Sequence, residues 1–115
     1  MAAEQHDLAD RIRRALPGGH AVRDVSMFGG LSFMVDGSMV VAARRHADLL
    51  VRIDPARSGE LLQVPGAKPA VMGSDRPMGP GWIAVAPDHL ADDDQLAFWI
   101  GVGMEYHDAH ASGGR

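Results

Sequence analysis

The chain has 115 residues, 46% apolar and 23% charged, which is the length and balance of one domain able to bury a core without staples. It contains no cysteine, so disulfide frameworks and thiolate metal centres are excluded. Formal net charge is −4, divided as +1 over residues 1–57 and −5 over 58–115, which is not the basic footprint of an autonomous duplex binder.

The first seven residues have no basic start and no apolar core, so they do not read as a secretory signal, and no apolar run reaches bilayer length. A cytoplasmic protein with no membrane segment is expected. The first element is a helix over residues 3–16. Leu8, Ile12, Ala15 and Leu16 share one face, acids come early, and Arg11, Arg13 and Arg14 come late, as the helix dipole favours. Pro17-Gly18-Gly19 stops it.

Four strands follow, over 21–28, 31–35, 38–43 and 48–53. Leu31, Phe33 and Val35 alternate with Ser32 and Met34; Leu49, Val51 and Ile53 alternate with Leu50 and Arg52. That period of two predicts an antiparallel sheet with one well-buried face. The intervals are too short for parallel crossovers. Asp36-Gly37 marks a two-residue hairpin, whose two central residues both need positive φ.

Asp54-Pro55 signals a helix start, with Asp as N-cap and Pro at the first position of a short helix ending near Leu62. Glycines and prolines from Gly66 to Gly81 predict a loop-rich region with two embedded strands, 70–72 and 82–86. A closing helix over 92–106 turns Leu96, Trp99, Ile100 and Gly103 inward and carries Asp92, Asp93 and Asp94 at its start. The expectation is a single α+β domain over 1–108, followed by a disordered tail at 109–115. Its sheet has five to six strands and is flanked by an N-terminal, a short middle and a C-terminal helix.

Met27-Phe28-Gly29-Gly30, the Phe33…Val35-Asp36-Gly37 hairpin and the strand Asp48-Leu49-Leu50-Val51-Arg52, in this order, resemble the TfoX/Sxy N-terminal domain family. Met78, Val85-Ala86-Pro87 and a closing helix with Leu96 and Trp99 extend the resemblance to about Leu8–Tyr106. It implies a small α+β domain with a strongly bent antiparallel sheet. In longer members this domain precedes a helical C-terminal domain, and the whole regulates competence genes with a cyclic-AMP-responsive activator. The present sequence ends where the first of those domains does.

Gly29-Gly30 admits an anion cradle or a bend between strands, and the absence of a Lys at P-loop spacing favours the bend. Met78, with Arg76 and Trp82, is the best candidate for a partner-contact loop, because Met, Arg and aromatic residues are enriched at interfaces. His107 and His110 have a metal-compatible spacing, but no third ligand accompanies them and an incidental tail is the better reading. Asp92, Asp93 and Asp94 diverge by about 100° per residue on a helix and do not converge on one ion. Ser32 and Ser74 lack a nucleophile elbow. No cofactor, metal or catalytic set is therefore assigned.

The leading expectation is a non-enzymatic regulatory domain that presents a sheet face or the 73–82 loop to a protein partner, with the transcription machinery as the partner class the resemblance suggests. Candidate contacts are Gly29, Gly30, Arg76, Met78 and Trp82. The alternative is a small-ligand-binding domain or enzyme whose site lies between sheet and helices. The acidic balance disfavours direct nucleic-acid binding, and an unpaired strand edge would permit a homodimer.

Overall fold

The computed structural model describes residues 3–16, 18–19, 21–27, 30–44, 47–72 and 76–113. Helix α1 (Ala3–Ala15) leads into β1 (Val22–Met27), β2 (Gly30–Val35), β3 (Ser38–Ala43) and β4 (Leu49–Arg52), an antiparallel meander. A 3₁₀ turn (Pro55–Arg57) runs into the one-turn helix α2 (Ser58–Leu61). Strands β5 (Ala67–Pro69), β6 (Val71–Met72), β7 (Arg76–Pro77) and β8 (Trp82–Val85) follow. A second 3₁₀ turn (Pro87–His89) then precedes α3 (Asp93–Gly113).

The main sheet has the order β1-β2-β3-β4-β8-β5, antiparallel throughout, and β6 and β7 pair as a separate hairpin. The expected α+β architecture, with its three helices and six-stranded open sheet, is present.

Local chemistry accounts for the turns. Asp36 and Gly37 have φ of 51° and 88°, the pair of positive angles a two-residue hairpin requires. The Asp54 carboxylate accepts the Ala56 N–H at 3.0 Å, capping the 3₁₀ turn, and Asp92 does the same for Asp94 at 2.8 Å. The register of β2 against β3 shifts between Phe33 and Met34, so that Met34 pairs with Met39 while Phe33 pairs with Val41. Val40 is the extra residue. This bulge lets two consecutive side chains, Val40 and Val41, enter the core, which regular alternation forbids.

The helices cover one face of the sheet. Leu8 and Ile12 of α1 and Leu96, Trp99, Ile100 and Met104 of α3 pack with Phe33, Val35, Val41, Leu49, Val51 and Ile83. Ala15, expected inward, is exposed; Ala9, three residues before Ile12 on the inward face, is buried instead, and Leu16 packs on the core from just beyond the helix. Gly103 brings α3 against β3: a methyl there would lie 2.7 Å from Val40 Cγ1.

The opposite face is also partly covered, so the single buried face expected from the alternation is incomplete. Ala42, Leu50, Ala70 and Ala84 are buried there, with Met39, Met78 and Trp82 half-buried around them. The β6–β7 hairpin supplies the cover. Arg44 ties it down by donating to the Val71 carbonyl at 2.9 Å, and the Met78 N–H donates to the Ala70 carbonyl at 2.9 Å.

Two further differences concern boundaries. Strands β5 and β7 lie where only loop was expected, and α3 continues past Tyr106 to Gly113. Among the described residues, no helix is long and apolar enough to cross a membrane.

Candidate partner-contact site

Antiparallel pairing sets Arg52 at the end of β4 opposite Trp82 at the start of β8. Both side chains lie on the face away from the helices, because Val51 and Ile83 beside them point into the helix-side core. The Arg52 guanidinium carbon lies 5.0 Å from the Trp82 ring centroid and 5.0 Å from that of Tyr106. Its Nη2 also donates to the Tyr106 hydroxyl at 3.1 Å. One cation thus touches two aromatic rings that arrive from β8 and α3. Cation–π contact contributes roughly 0.5–1 kcal/mol at exposed positions and more when desolvated, so the half-buried Arg52 is held rather than swinging freely.

Met39 and Met78 border Trp82 in the same apolar cluster. Arg76, two residues before Met78 on β7, is exposed and makes no ion pair among the described residues. The expected trio Arg76, Met78 and Trp82 therefore shares one region, although Met78 is half-buried rather than fully displayed. Gly30 does not join them. It opens β2, paired with Met27, and three strand spacings, roughly 14 Å, separate β2 from β8. Gly29 lies outside the described residues, as do Ser74 and the rest of 73–75.

Reading the sequence missed Arg52 and Tyr106. Arg52 registered only as the polar phase of a strand, and Tyr106, the single tyrosine, only as a helix end. Their meeting spans 54 residues of chain and has no local signature.

Beside Tyr106 a cleft of about 290 Å³ opens between the end of β4 and α3, lined by Asp54, Arg57, Val102, Glu105, Tyr106 and Ala109. Arg57 spans it by pairing with Glu105, and also approaches Glu60 at 3.6 Å.

His107 is not an incidental tail residue: it is 6% exposed, on the buried side of α3, with Nε2 3.2 Å from Asp36 Oδ2. Among the described residues no group of three metal-binding side chains converges. Ser32 is buried in mid-strand at 2% exposure.

The shifted acid–base equilibria lie elsewhere, at Arg13 and Asp24. The hydrogen bond from Arg13 holds the Asp24 carboxyl below its usual range, and the same contact raises Arg13. Arg13 also lies 5.5 Å over the Phe33 ring. This pair fastens α1 to β1.

The family model described as the TfoX N-terminal domain matches residues 14–106, which takes in all eight strands, the Arg52–Trp82–Tyr106 cluster and most of α3. No curated protein matches the sequence.

Proposed function

The chain belongs to the TfoX N-terminal domain family, and from that premise we propose that it is a non-enzymatic, regulatory protein-interaction domain. Its contact surface is the sheet face away from the helices, centred on Trp82 and Met78 with Arg76 at the margin. The observation that carries this reading is the Arg52 clamp. A fixed cation beside a half-exposed indole and two methionines joins the residue types that dominate binding energy at protein interfaces, already ordered before a partner arrives. The partner class is a component of the transcription machinery, in line with the role of the family's longer members.

The test is capture from nuclease-treated native lysate with three matched baits: wild type, Trp82→Ala and Arg76→Glu. A protein recovered in stoichiometric amount by wild type and lost with both variants, each shown to be folded by circular dichroism, is the expected result. Equal recovery by all three baits rules this surface out, and turnover of a metabolite by the purified protein rules out the non-enzymatic reading.

A second reading rests on the cleft at Asp54, Arg57, Glu105 and Tyr106, which offers both charge signs and one hydroxyl to a small ligand. A metabolite saturating that cleft at 100-fold excess over Kd adds about 2.7 kcal/mol to stability. A thermal-shift screen in which Arg57→Ala abolishes the response supports it, and a flat response across metabolites and nucleotides rejects it.

A further inference from the structure

The two edges of the main sheet are built differently. Edge strand β5 has three residues, Ala67-Lys68-Pro69, of which Lys68 and Pro69 are exposed. A short strand with a lysine and a proline is a blunted edge that resists further pairing. Edge strand β1 has six residues, no proline and no lysine. It pairs only with β2 among the described residues. Val22 on it is 40% exposed, one of two large hydrophobic side chains so exposed among the described residues.

The outward groups of β1 follow from its pairing. The Asp36 N–H donates to the Ala21 carbonyl at 2.8 Å, which makes Ala21–Asp36 a hydrogen-bonded pair of the β1–β2 ladder. Antiparallel ladders alternate, so Arg23 and Val25 direct their backbone groups to β2, while those of Val22, Asp24 and Ser26 point away from the sheet. Three residues thus present N–H and C=O groups in the geometry that another strand needs.

We infer that β1 is a self-association edge, at which two copies of this chain pair antiparallel about a two-fold axis to continue the sheet. The length and charge pattern of β1 together select the register: centring on Asp24 or Val25 keeps five of its six residues paired, and any other centre at most three. A two-fold axis between antiparallel strands sets residues of equal parity opposite each other, so the pairing centres on a single residue facing its own copy. Centring on Arg23 sets arginine against arginine, and centring on Asp24 sets aspartate against aspartate, both unfavourable directly across strands. Centring on Val25 sets valine against valine, Asp24 opposite Ser26, whose hydroxyl can donate to the carboxylate, and Arg23 opposite the apolar Met27. No like charges then meet. This register also uses the outward groups of Asp24 and Ser26 as a hydrogen-bonded pair and leaves Val25 at a non-hydrogen-bonded position.

The absence of cysteine makes the test clean. At a non-hydrogen-bonded antiparallel position the two Cα atoms lie about 4.5 Å apart, within disulfide range. Val25→Cys is expected to form a disulfide-linked dimer under mild oxidation, while Asp24→Cys, opposite Ser26 in this register, stays uncrosslinked. Wild type is expected to show twice the 12.3 kDa chain mass by light scattering. Val25→Lys, which sets two ammonium groups face to face, raises the dimer dissociation constant by about tenfold or more. Val25 is half-buried, so folding of Val25→Lys is checked by circular dichroism, and the cysteine pair decides the question if that variant unfolds. A wild-type chain that is monomeric at every concentration overturns the inference. So does crosslinking of Asp24→Cys in preference to Val25→Cys.

Discussion

His107 Nε2 lies 3.2 Å from Asp36 Oδ2, joining the buried side of α3 to the tip of the β2–β3 hairpin across 71 residues. The other oxygen of the same carboxylate accepts the Ala21 N–H at 3.1 Å. Asp36 therefore does three things at once: it adopts the positive φ of the turn, fastens the start of β1, and meets His107 on the buried side of α3. Asp36→Asn keeps the turn and the Ala21 contact but removes the charge, and is expected to cost about 1 kcal/mol. His107→Ala also opens a cavity and is expected to cost about 2–3 kcal/mol. The double variant, compared by urea denaturation, should show a coupling of at least about 0.5 kcal/mol; strict additivity would mean that the contact contributes nothing.

Gly101 and Gly103 lie two residues apart on α3 and should respond in opposite directions to the same substitution. A methyl on Gly101 meets nothing within 4 Å, so Gly101→Ala gains helix propensity and stabilises by about 0.5–1 kcal/mol. A methyl on Gly103 meets Val40 Cγ1 at 2.7 Å and the Val40 carbonyl at 3.2 Å. Gly103→Ala must separate α3 from β3 and is expected to cost about 1–3 kcal/mol despite the same propensity gain. Melting temperatures of the two variants check both signs.

The Arg13–Asp24 pair predicts a small acid-sensitive component of stability. The folded-state pKa of Asp24 lies below its unfolded value, chiefly through the Arg13 hydrogen bond. Its contribution is complete above the ordinary carboxylate range and is lost as pH falls through the lowered folded value, because the unfolded chain binds the proton first. The two side chains are 44% and 37% exposed, so the pair contributes no more than about 1 kcal/mol and is weakened by salt. Asp24→Asn should remove that part of the acid limb and leave the rest; identical pH profiles for the two proteins would refute the assignment.

Arg52→Ala should loosen Trp82 without unfolding the domain. The chain has two tryptophans, Trp99 at 1% exposure and Trp82 half-buried. In a Trp99→Phe background, emission reports Trp82 alone. Removal of Arg52 should shift that emission to the red and increase acrylamide quenching, with a stability cost of about 1–2 kcal/mol for two cation–π contacts and a hydrogen bond. An unchanged spectrum would mean that Arg52 does not order the indole.

Phe33 is fully buried at the centre of the helix-side core. Phe33→Ala is expected to cost about 3–5 kcal/mol, a large share of the stability of a domain this size, measured as loss of the cooperative denaturation transition.

What the sequence made legible was local. Asp36-Gly37 and Asp54-Pro55 could be read because turn and cap chemistry acts over two to four residues, and Leu96, Trp99 and Ile100 because helical period marks a face. Strands β5 and β7 were invisible, since three and two residues containing Lys68, Pro69, Arg76 and Pro77 carry no strand signal and are held only by neighbours. The open face was half legible: Arg76, Met78 and Trp82 are close in sequence, whereas Arg52 and Tyr106 reach Trp82 through sheet pairing and helix packing. His107 was not legible because the expected helix stops at Tyr106, seven residues short of the end of α3, and so leaves out the turn that places it beside Met104 on the buried face.

The bulge at Val40 bears on which changes of chain length the domain tolerates. Deleting Val40 would restore a regular ladder between β2 and β3. It would also take away the side chain against which Gly103 is fitted, leaving α3 without its seat. An insertion next to Val40 would instead reverse the inside and outside of Val41, Ala42 and Ala43 relative to the hairpin. Length variants at this point are therefore expected to be lethal to folding. Scanning insertions coupled to a folding reporter would show this as one sharply intolerant position inside β3.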